Sequence, residues 1–128
     1  MDVSFVIVSY NGRDFLRRCL TSIYEHTTGI DFEVIAVDNA SRDGTPEMVA
    51  SEFPQARLAR RATNAGFATA VNQGIATAAG DALFLLNPDT ELTGNVLPPL
   101  LAYLREHGDI GILAPKLLDA DGSLQLSC

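Results

Sequence analysis

Short apolar runs alternate along this chain with segments whose apolar residues recur at helical spacing. Residues 3–8 form a nearly continuous run that is rich in β-branched side chains, which is typical of a strand buried on both faces. Residues 32–37 and 82–86 repeat this pattern, residues 57–59 do so more weakly, and residues 110–113 resume it. The hydrophobic pattern therefore predicts a series of short, buried strands.

The segments between these runs predict helices. Apolar positions recur at helical spacing over residues 15–23, 67–78 and 96–107. Thr45-Pro46 begins a further helix, in the favoured order of an N-cap residue followed by proline at the first helical position, and Pro54 ends it. Strands that alternate with helices in this way predict an α/β fold with a mainly parallel sheet and helices on both faces.

The last residues of the chain do not continue this alternation. Asp121-Gly122 lies between Leu117-Leu118 and Leu124-Gln125-Leu126, an order that predicts a hairpin turn and an antiparallel appendage. With 128 residues and 47% hydrophobic content, the chain has the length and apolar supply for one core. We therefore expect a single domain over residues 1–128.

The charge of the chain excludes one class of partner. A formal net charge of −7 leaves no basic face for the backbone of a nucleic acid. Arg57, Arg60 and Arg61 form only a small local cluster, which is interpreted as a solvated surface or, beside a nucleotide site, as a phosphate contact. We expect no nucleic-acid partner.

Cysteines and apolar runs bear on the location of the protein. Cys19 fits a helix as a small buried hydrophobe and Cys128 is the last residue, so no structural disulfide is expected. The sequence opens without a signal-peptide pattern, and its apolar runs are shorter than a membrane span needs. We therefore expect a cytoplasmic protein, which leaves room for a peripheral role at the inner face of a membrane.

Four polar clusters stand where predicted strands stop. They are Ser9-Tyr10-Asn11, residues 38–43, residues 64–67 and Asn87-Pro88-Asp89. Ligands of open α/β sheets bind outside the carboxyl ends of the strands. A carboxylate such as Asp89 at that edge is suited to hold a divalent cation against a diphosphate. Although Asn-Pro-Asp alone is ordinary turn chemistry, the four clusters together favour a nucleotide-sugar transferase.

With these residues in place, the chain resembles the family-two glycosyltransferases, particularly their rhamnosyltransferase-like branch, which builds cell-surface polysaccharides. The resemblance rests on residues 6–11, 37–45, 64–67, 72–74 and 87–92. It implies a truncated GT-A fold, the Rossmann-like fold of nucleotide-diphospho-sugar transferases. It also implies transfer of a sugar, with inversion, from a nucleoside-diphosphate sugar of UDP or dTDP type to a hydroxyl of a glycan or lipid-linked glycan.

The resemblance assigns the base and ribose of this donor to the first two clusters. Ser9, Tyr10, Asn11 and Asp38 would hold them, because a carboxylate accepts from a pyrimidine N3–H and a tyrosine ring lies against a base. The alternative for Asp38 is a helix or turn cap. Asp43 is interpreted more simply as the anchor of a turn.

The resemblance assigns the diphosphate and the metal to the later clusters. Asn64 and Gly66 would shape a loop close to the diphosphate, with glycine needed where a Cβ would intrude. Asn72 either points to the same site or faces solvent. Asp89 takes the place of the second aspartate in the family's metal motif, which implies Mg²⁺ or Mn²⁺, whereas Asn87 departs from that motif and supplies a neutral oxygen.

The inverting reaction also needs a general base for the acceptor hydroxyl. In the family this carboxylate lies beyond the equivalent of Cys128, and Asp109, Asp119 and Asp121 match turns instead. We therefore expect a donor-binding part that lacks the C-terminal acceptor-binding part and binds the donor without turnover. The alternative is a non-catalytic nucleotide-binding or assembly module that self-associates through an uncovered sheet edge.

Overall fold

The computed structural model describes residues 1–125, in which strands and helices alternate along the chain. The elements are β1 (Val3–Ser9), α1 (Arg13–His26), β2 (Phe32–Asp38), α2 (Thr45–Glu52), β3 (Arg57–Arg60), α3 (Phe67–Thr77), β4 (Ala82–Leu85) and α4 (Leu97–Glu106). Within this range no helix combines the length and the apolar character that crossing a membrane requires. The predictions about Leu126 and Cys128 lie outside the described residues.

The four strands form one parallel sheet in the order β3-β2-β1-β4. All seven residues of β1 are buried, because this strand has a neighbour on each side and helices above and below. The prediction of an α/β fold with a mainly parallel sheet covered on both faces is confirmed.

Side chains of β1 alternate between two hydrophobic clusters, as the pleat of a strand requires. Val3, Phe5 and Ile7 belong to the larger cluster, to which α1, α2 and α4 contribute. Val6 and Val8 belong to the smaller cluster, to which α3 contributes. Three helices therefore cover one face of the sheet and one helix covers the other.

Two glycines allow α3 and the turn after it to lie close to β1. A Cβ on Gly74 would lie 2.5 Å from Cγ1 of Val6, and a Cβ on Gly80 would lie 2.5 Å from the backbone nitrogen of Ser4. The Gly80 amide also donates to Oγ of Ser4 at 2.8 Å. These contacts fix the turn that leads into β4.

The structure differs from the sequence predictions in three places. Residues 110–113 form no strand, since they lie along the cavity beside β4 without joining its hydrogen-bond ladder. Thr45 is the first residue of α2, and Gly44, at φ 85°, is its N-cap. Phe15 and Phe67 are 53% and 59% exposed although they belong to predicted apolar helix faces. Phe15 lies about 100° around the helix from buried Leu16.

The predicted C-terminal hairpin is present in the described residues. Leu118 and Leu124 form an isolated antiparallel bridge, and the Asp119 amide donates to the carbonyl of Ser123 at 2.7 Å. Gly122 adopts φ 87° in the turn, a conformation that glycine adopts without steric cost.

Candidate functional site

The carboxyl edge of the sheet opens into a cavity of about 570 Å³. Ser9, Asp38 and Arg60 are aligned in register at the ends of β1, β2 and β3. The loops after these strands form the wall of the cavity, through Tyr10, Asp38, residues 40–42 and residues 60–64. The site is thus where parallel α/β sheets bind their ligands.

Asp38 is the most unusual side chain in this wall, because it is only 2% exposed. Its Oδ2 accepts a hydrogen bond from the Ser41 amide at 2.9 Å, whereas its buried Oδ1 has no hydrogen-bond partner among residues 1–125. A buried carboxylate oxygen without a partner is costly. Asp38 therefore caps the turn with one oxygen, while its role in binding the base stays a prediction.

Asn11 holds the loop that follows β2. Its backbone amide donates to Oγ of Ser41 at 2.8 Å, and its Oδ1 accepts from the Arg42 amide at 2.8 Å. Both Asn11 and Ala40 adopt positive φ, at 51° and 68°, which is uncommon for residues other than glycine. Asn11 thus shapes the wall of the cavity through the loop rather than as one of its lining residues.

Two further buried side chains at this edge have unpaired oxygens. Ser9 and Asn39 are 1% and 3% exposed, and within the described residues neither Oγ of Ser9 nor Oδ1 of Asn39 has a hydrogen-bond partner. The backbone of Asn39 donates to the Ser9 carbonyl at 2.9 Å, and its Nδ2 donates to the Gly66 carbonyl at 3.1 Å. Asn39, which the sequence analysis missed, links β1 to the start of α3.

Tyr10 and Asn64 lie in the cavity wall as predicted. The Tyr10 side chain is 54% exposed, so its ring is available to a base. Oδ1 of Asn64 accepts from the Gly66 amide at 3.0 Å. The expected clash of a Cβ at Gly66 with the diphosphate stays a prediction, because among the described residues a Cβ there would meet nothing within 4 Å. Glycine is needed because φ is 93°.

The arginine cluster divides between the two ends of the sheet. Arg60 and Arg61 line the cavity, and Arg57 instead pairs with Glu33 at 2.9 Å. The guanidinium of Arg61 donates a hydrogen bond to Oε1 of Gln73 through NH1, while its buried Nε has no partner in the described range. Arg60 and Arg61 thus lie at the candidate nucleotide site, where the phosphate contact that the sequence left open for this cluster stays a prediction.

Asp43 anchors a turn, as predicted. Its Oδ1 accepts from the backbone and the hydroxyl of Thr45, and its Oδ2 accepts from the Arg13 amide at 3.0 Å. Burial alone would raise the pKa of Asp43, but these hydrogen bonds outweigh burial and hold it below its ordinary value. Both oxygens are occupied, in contrast with Asp38.

The predicted metal residues lie after β4, outside the wall of the cavity. Because β4 is parallel to β1 and adjacent to it, Asn87 and Asp89 follow the same carboxyl edge of the sheet. Both are exposed, and Asn87 lines a second cavity of about 800 Å³ that runs along β4. Asn72 is exposed on α3 and is also absent from the wall of the first cavity.

The donor atoms near Asp89 suit a hard cation that brings other ligands with it. Residues 1–125 contain no group of three or more His, Cys, Asp or Glu side chains arranged to hold a metal. One carboxylate and one amide oxygen nevertheless fit Mg²⁺ or Mn²⁺, since Mg²⁺ keeps several waters and is often bound by one or two carboxylates together with substrate phosphates.

Comparison with known proteins gives consistent matches. A family model described as "Glycosyl transferase family 2" matches residues 4–122. A dolichol-phosphate mannosyltransferase of Pyrococcus furiosus is 30% identical over 115 residues, which cover 88% of this chain and 32% of that protein. An N-acetylglucosaminyl-diphospho-decaprenol L-rhamnosyltransferase of Mycobacterium tuberculosis is 33% identical over 130 residues, which cover 93% and 42%. The chain thus spans less than half of each relative's length.

Solved structures match the fold. S. aureus TarS in complex with UDP-GlcNAc superposes with a TM-score of 0.76 at 23% identity, over 84% of this chain and 32% of that chain. A Pyrobaculum calidifontis mannosyltransferase, PcManGT, in complex with GDP-Man and Mn²⁺, gives a TM-score of 0.66 at 29% identity, over 73% and 29%. The likeness to TarS is one of fold alone.

Proposed function

Because the chain belongs to glycosyl transferase family 2, we propose that its carboxyl-edge cavity binds a nucleoside-diphosphate sugar of UDP or dTDP type. The whole protein transfers the sugar from this donor to an acceptor hydroxyl with inversion. The observation that carries the proposal is the buried Oδ1 of Asp38 in the wall of the cavity, which has no hydrogen-bond partner in the part of the chain that the structure describes.

The chemistry of the wall supports a pyrimidine base. Oδ1 of Asp38 accepts the N3–H of uracil or thymine, and the exposed ring of Tyr10 lies against the face of the base. Arg60 and Arg61 supply positive charge for an anionic donor. Oδ2 of Asp38 already accepts from the Ser41 amide. Oδ1 therefore remains as the acceptor for a single N–H of the base.

The cation belongs to the same proposal. Asp89, with Asn87 beside it, would hold Mg²⁺ or Mn²⁺, and the family match with the Mn²⁺ named for PcManGT supports this role. When bound, the cation neutralises charge on the diphosphate oxygens. The contribution of the chain is to keep an oxygen ligand at the edge where the donor enters.

Acceptor binding is proposed for the whole protein. The names of the two relatives support a lipid-linked acceptor for the whole protein. Such an acceptor supports the proposal of a cytoplasmic enzyme that acts at the inner face of a membrane. The general base that removes the proton of the acceptor hydroxyl is assigned to residues beyond this chain. In residues 1–125, the late carboxylates Asp119 and Asp121 bond to Ser123 within the hairpin.

Calorimetry tests the donor site directly. UDP and dTDP are titrated into the chain with and without Mn²⁺, and the same titrations are made on Asp38→Asn, Asp89→Ala and the control Asp109→Ala. Asp38→Asn should weaken nucleotide binding in both conditions, whereas Asp89→Ala should remove only the enhancement by Mn²⁺. Asp109 is exposed in the turn after α4, so its loss should change neither. Failure of both nucleotides to bind would refute the proposal.

A second candidate function is self-assembly, favoured by one observation. β4 is an edge strand, and its Leu83 and Leu85 are 44% and 53% exposed. Edge strands with apolar side chains invite pairing with another chain. Light scattering together with the nucleotide titrations separates the two functions. A dimer whose population rises with protein concentration and which binds no nucleotide supports assembly, whereas a monomer that binds nucleotide supports the transferase.

A further inference from the structure

We propose that Ser22, a buried hydroxyl in α1, is a positioning residue for Asp89. The inference rests on the metal role of Asp89 proposed above. Asp89 itself is exposed and lies on an irregular segment between β4 and α4. A metal ligand needs a fixed direction, so the question is what holds this segment in place.

The first constraint on Asp89 is the turn that contains it. The Asn87 carbonyl accepts from the backbone amide of Thr90 at 3.2 Å and from its Oγ1 at 2.7 Å. Asp89 is the third residue of this four-residue turn. These bonds are internal to the turn, however, and do not fix it relative to the rest of the molecule.

Two residues of α1 supply the external constraint. Sγ of Cys19 lies 3.9 Å from the Asn87 carbonyl oxygen, and Oγ of Ser22 accepts from the Leu92 amide at 2.9 Å. Residues three apart lie on one face of a helix, so α1 holds the segment at both ends. The Leu92 side chain is 8% exposed and packs in the larger cluster.

The contact of Ser22 is the stronger and more directional of the two. A thiol is a weak hydrogen-bond donor, whereas Ser22 is 5% exposed and donates its proton to the Cys19 carbonyl at 2.7 Å. This bond orients the hydroxyl so that a lone pair meets the Leu92 amide. Without that oxygen, the Leu92 amide needs water or another acceptor, and the segment shifts outward together with Asp89, three residues away.

A matched pair of serine substitutions tests the role. Ser51, in α2, also donates to the carbonyl three residues earlier, at 3.3 Å from Met48, but it is exposed. Ser22→Ala should leave UDP affinity without metal unchanged and reduce the enhancement by Mn²⁺ roughly tenfold. Ser51→Ala should change neither. Calorimetry measures the affinities, and electron paramagnetic resonance of Mn²⁺ counts the bound ion.

Further variants separate positioning from stability. Ser22→Thr keeps the hydroxyl and should recover most of the enhancement, which loss of packing alone would not explain. Ser22→Cys keeps a side chain of similar shape but replaces the hydroxyl by a poorer acceptor. It should lower the enhancement by Mn²⁺ while the chain stays folded. In an Asp89→Ala background, Ser22→Ala should have no further effect on Mn²⁺ dependence, because the two residues act as a unit.

The outcomes distinguish this inference from the proposal beneath it. If Asp89→Ala leaves the Mn²⁺ enhancement intact, the metal role fails and the inference falls with it. If Asp89→Ala removes the enhancement while Ser22→Ala and Ser22→Cys retain it in full, only the positioning role of Ser22 is overturned. Faster hydrogen exchange of the Leu92 amide in Ser22→Ala would support the role independently of binding.

Discussion

Single residues at the carboxyl edge divide into those that hold loops and those left free for a ligand. Both carboxylate oxygens of Asp43 accept hydrogen bonds, one from Thr45 and the other from Arg13. One oxygen of Asp38 accepts from Ser41, and the other is buried without a partner among the residues that the structure describes. The same carboxylate chemistry therefore stabilises a turn at both positions, and at Asp38 it also leaves an oxygen for the proposed donor.

This difference predicts opposite effects of the same substitution. Asp38→Asn keeps an oxygen for Ser41 and removes a buried charge, so thermal stability should hold or rise while UDP affinity falls roughly tenfold to a hundredfold. Asp43→Asn turns an amide group toward a donor and should destabilise the fold by about 1–2 kcal/mol, with little direct effect on affinity. Thermal unfolding and calorimetry on both variants check this. A destabilised Asp38→Asn chain would contradict our account of the free oxygen.

The sequence singled out polar residues whose type suits binding, and it left open the role of residues whose placement depends on strand pairing. Tyr10, Asp38 and Asn64 were found because polar residues after an apolar run stand out, and all three line the cavity. For Arg61 the sequence left solvated surface and phosphate contact as alternatives, since a cluster of arginines is usually solvated surface. Only the pairing of β3 with β2 brings it to the same edge as Asp38.

At the scale of elements, the hydrophobic pattern predicted the strands that have a neighbour in the sheet, and it was wrong for a segment that has none. The runs over β1, β2 and β4 became strands because each found a neighbour. Residues 110–113 have the same apolar character but remain outside the sheet. A strand needs a hydrogen-bonding partner as well as an apolar pattern, and sequence periodicity does not supply the partner.

The close approach of the α3–β4 turn to β1 gives a sharp prediction. In Gly80→Ala, the new Cβ would lie 2.5 Å from the nitrogen of Ser4 and 2.6 Å from the carbonyl carbon of Val3. Backbone atoms cannot rotate away, so we expect a loss of about 3 kcal/mol. Gly108→Ala is the control, because its Cβ would meet nothing within 4 Å. Equal denaturation midpoints for the two variants would contradict this account of the packing.

Glu33 joins three elements and predicts a pH dependence of stability. Its carboxylate accepts from Ser4 in β1, from Arg57 in β3 and from Ala79 after α3. Burial would raise the pKa of Glu33, but these hydrogen bonds prevail and hold it below its ordinary value of 4.5. The charged form therefore adds stability above about pH 4.5, and this stability is lost as the pH falls through the lower pKa of the folded state.

Glu33→Gln isolates this effect, because its amide oxygen still accepts from Ser4 and Ala79. At pH 7 we expect a loss of about 1 kcal/mol, since Arg57 is half exposed and its ion pair is screened by solvent. The difference from the unsubstituted chain should shrink as the pH falls below 4.5. Glu106→Gln, at an exposed position in α4, serves as the control. A constant difference from pH 7 to pH 3 would refute the electrostatic explanation.

At the scale of the whole molecule, topology gathers the site. The parallel order β3-β2-β1-β4 puts the carboxyl ends of all four strands at one edge, so clusters far apart in sequence become neighbours. The family and the GT-A fold predicted from those clusters are confirmed. Against a net charge of −7 from nine basic and sixteen acidic residues, three arginines line the cavity, at positions 42, 60 and 61. Positive charge is thus concentrated where an anionic donor would enter.

Linkage between binding and folding makes this arrangement measurable on the intact chain. A ligand that binds only the folded state at one hundred times its Kd adds about 2.7 kcal/mol of stability, which corresponds to a rise in Tm of roughly 10 °C for a chain of this length. UDP with Mn²⁺ should produce such a shift. Adenosine diphosphate at the same concentration should produce a smaller shift, because adenine has no imide N–H to donate to Oδ1 of Asp38.

Scanning calorimetry on variants then assigns the shift to its source. Asp38→Asn should lose most of it with or without Mn²⁺, Asp89→Ala should lose only the part that Mn²⁺ adds, and Gly108→Ala should keep it whole. An equal shift in Asp38→Asn and in the unsubstituted chain would mean that the nucleotide binds elsewhere. The exposed edge along β4, with its cavity of about 800 Å³, would then be the next surface to test.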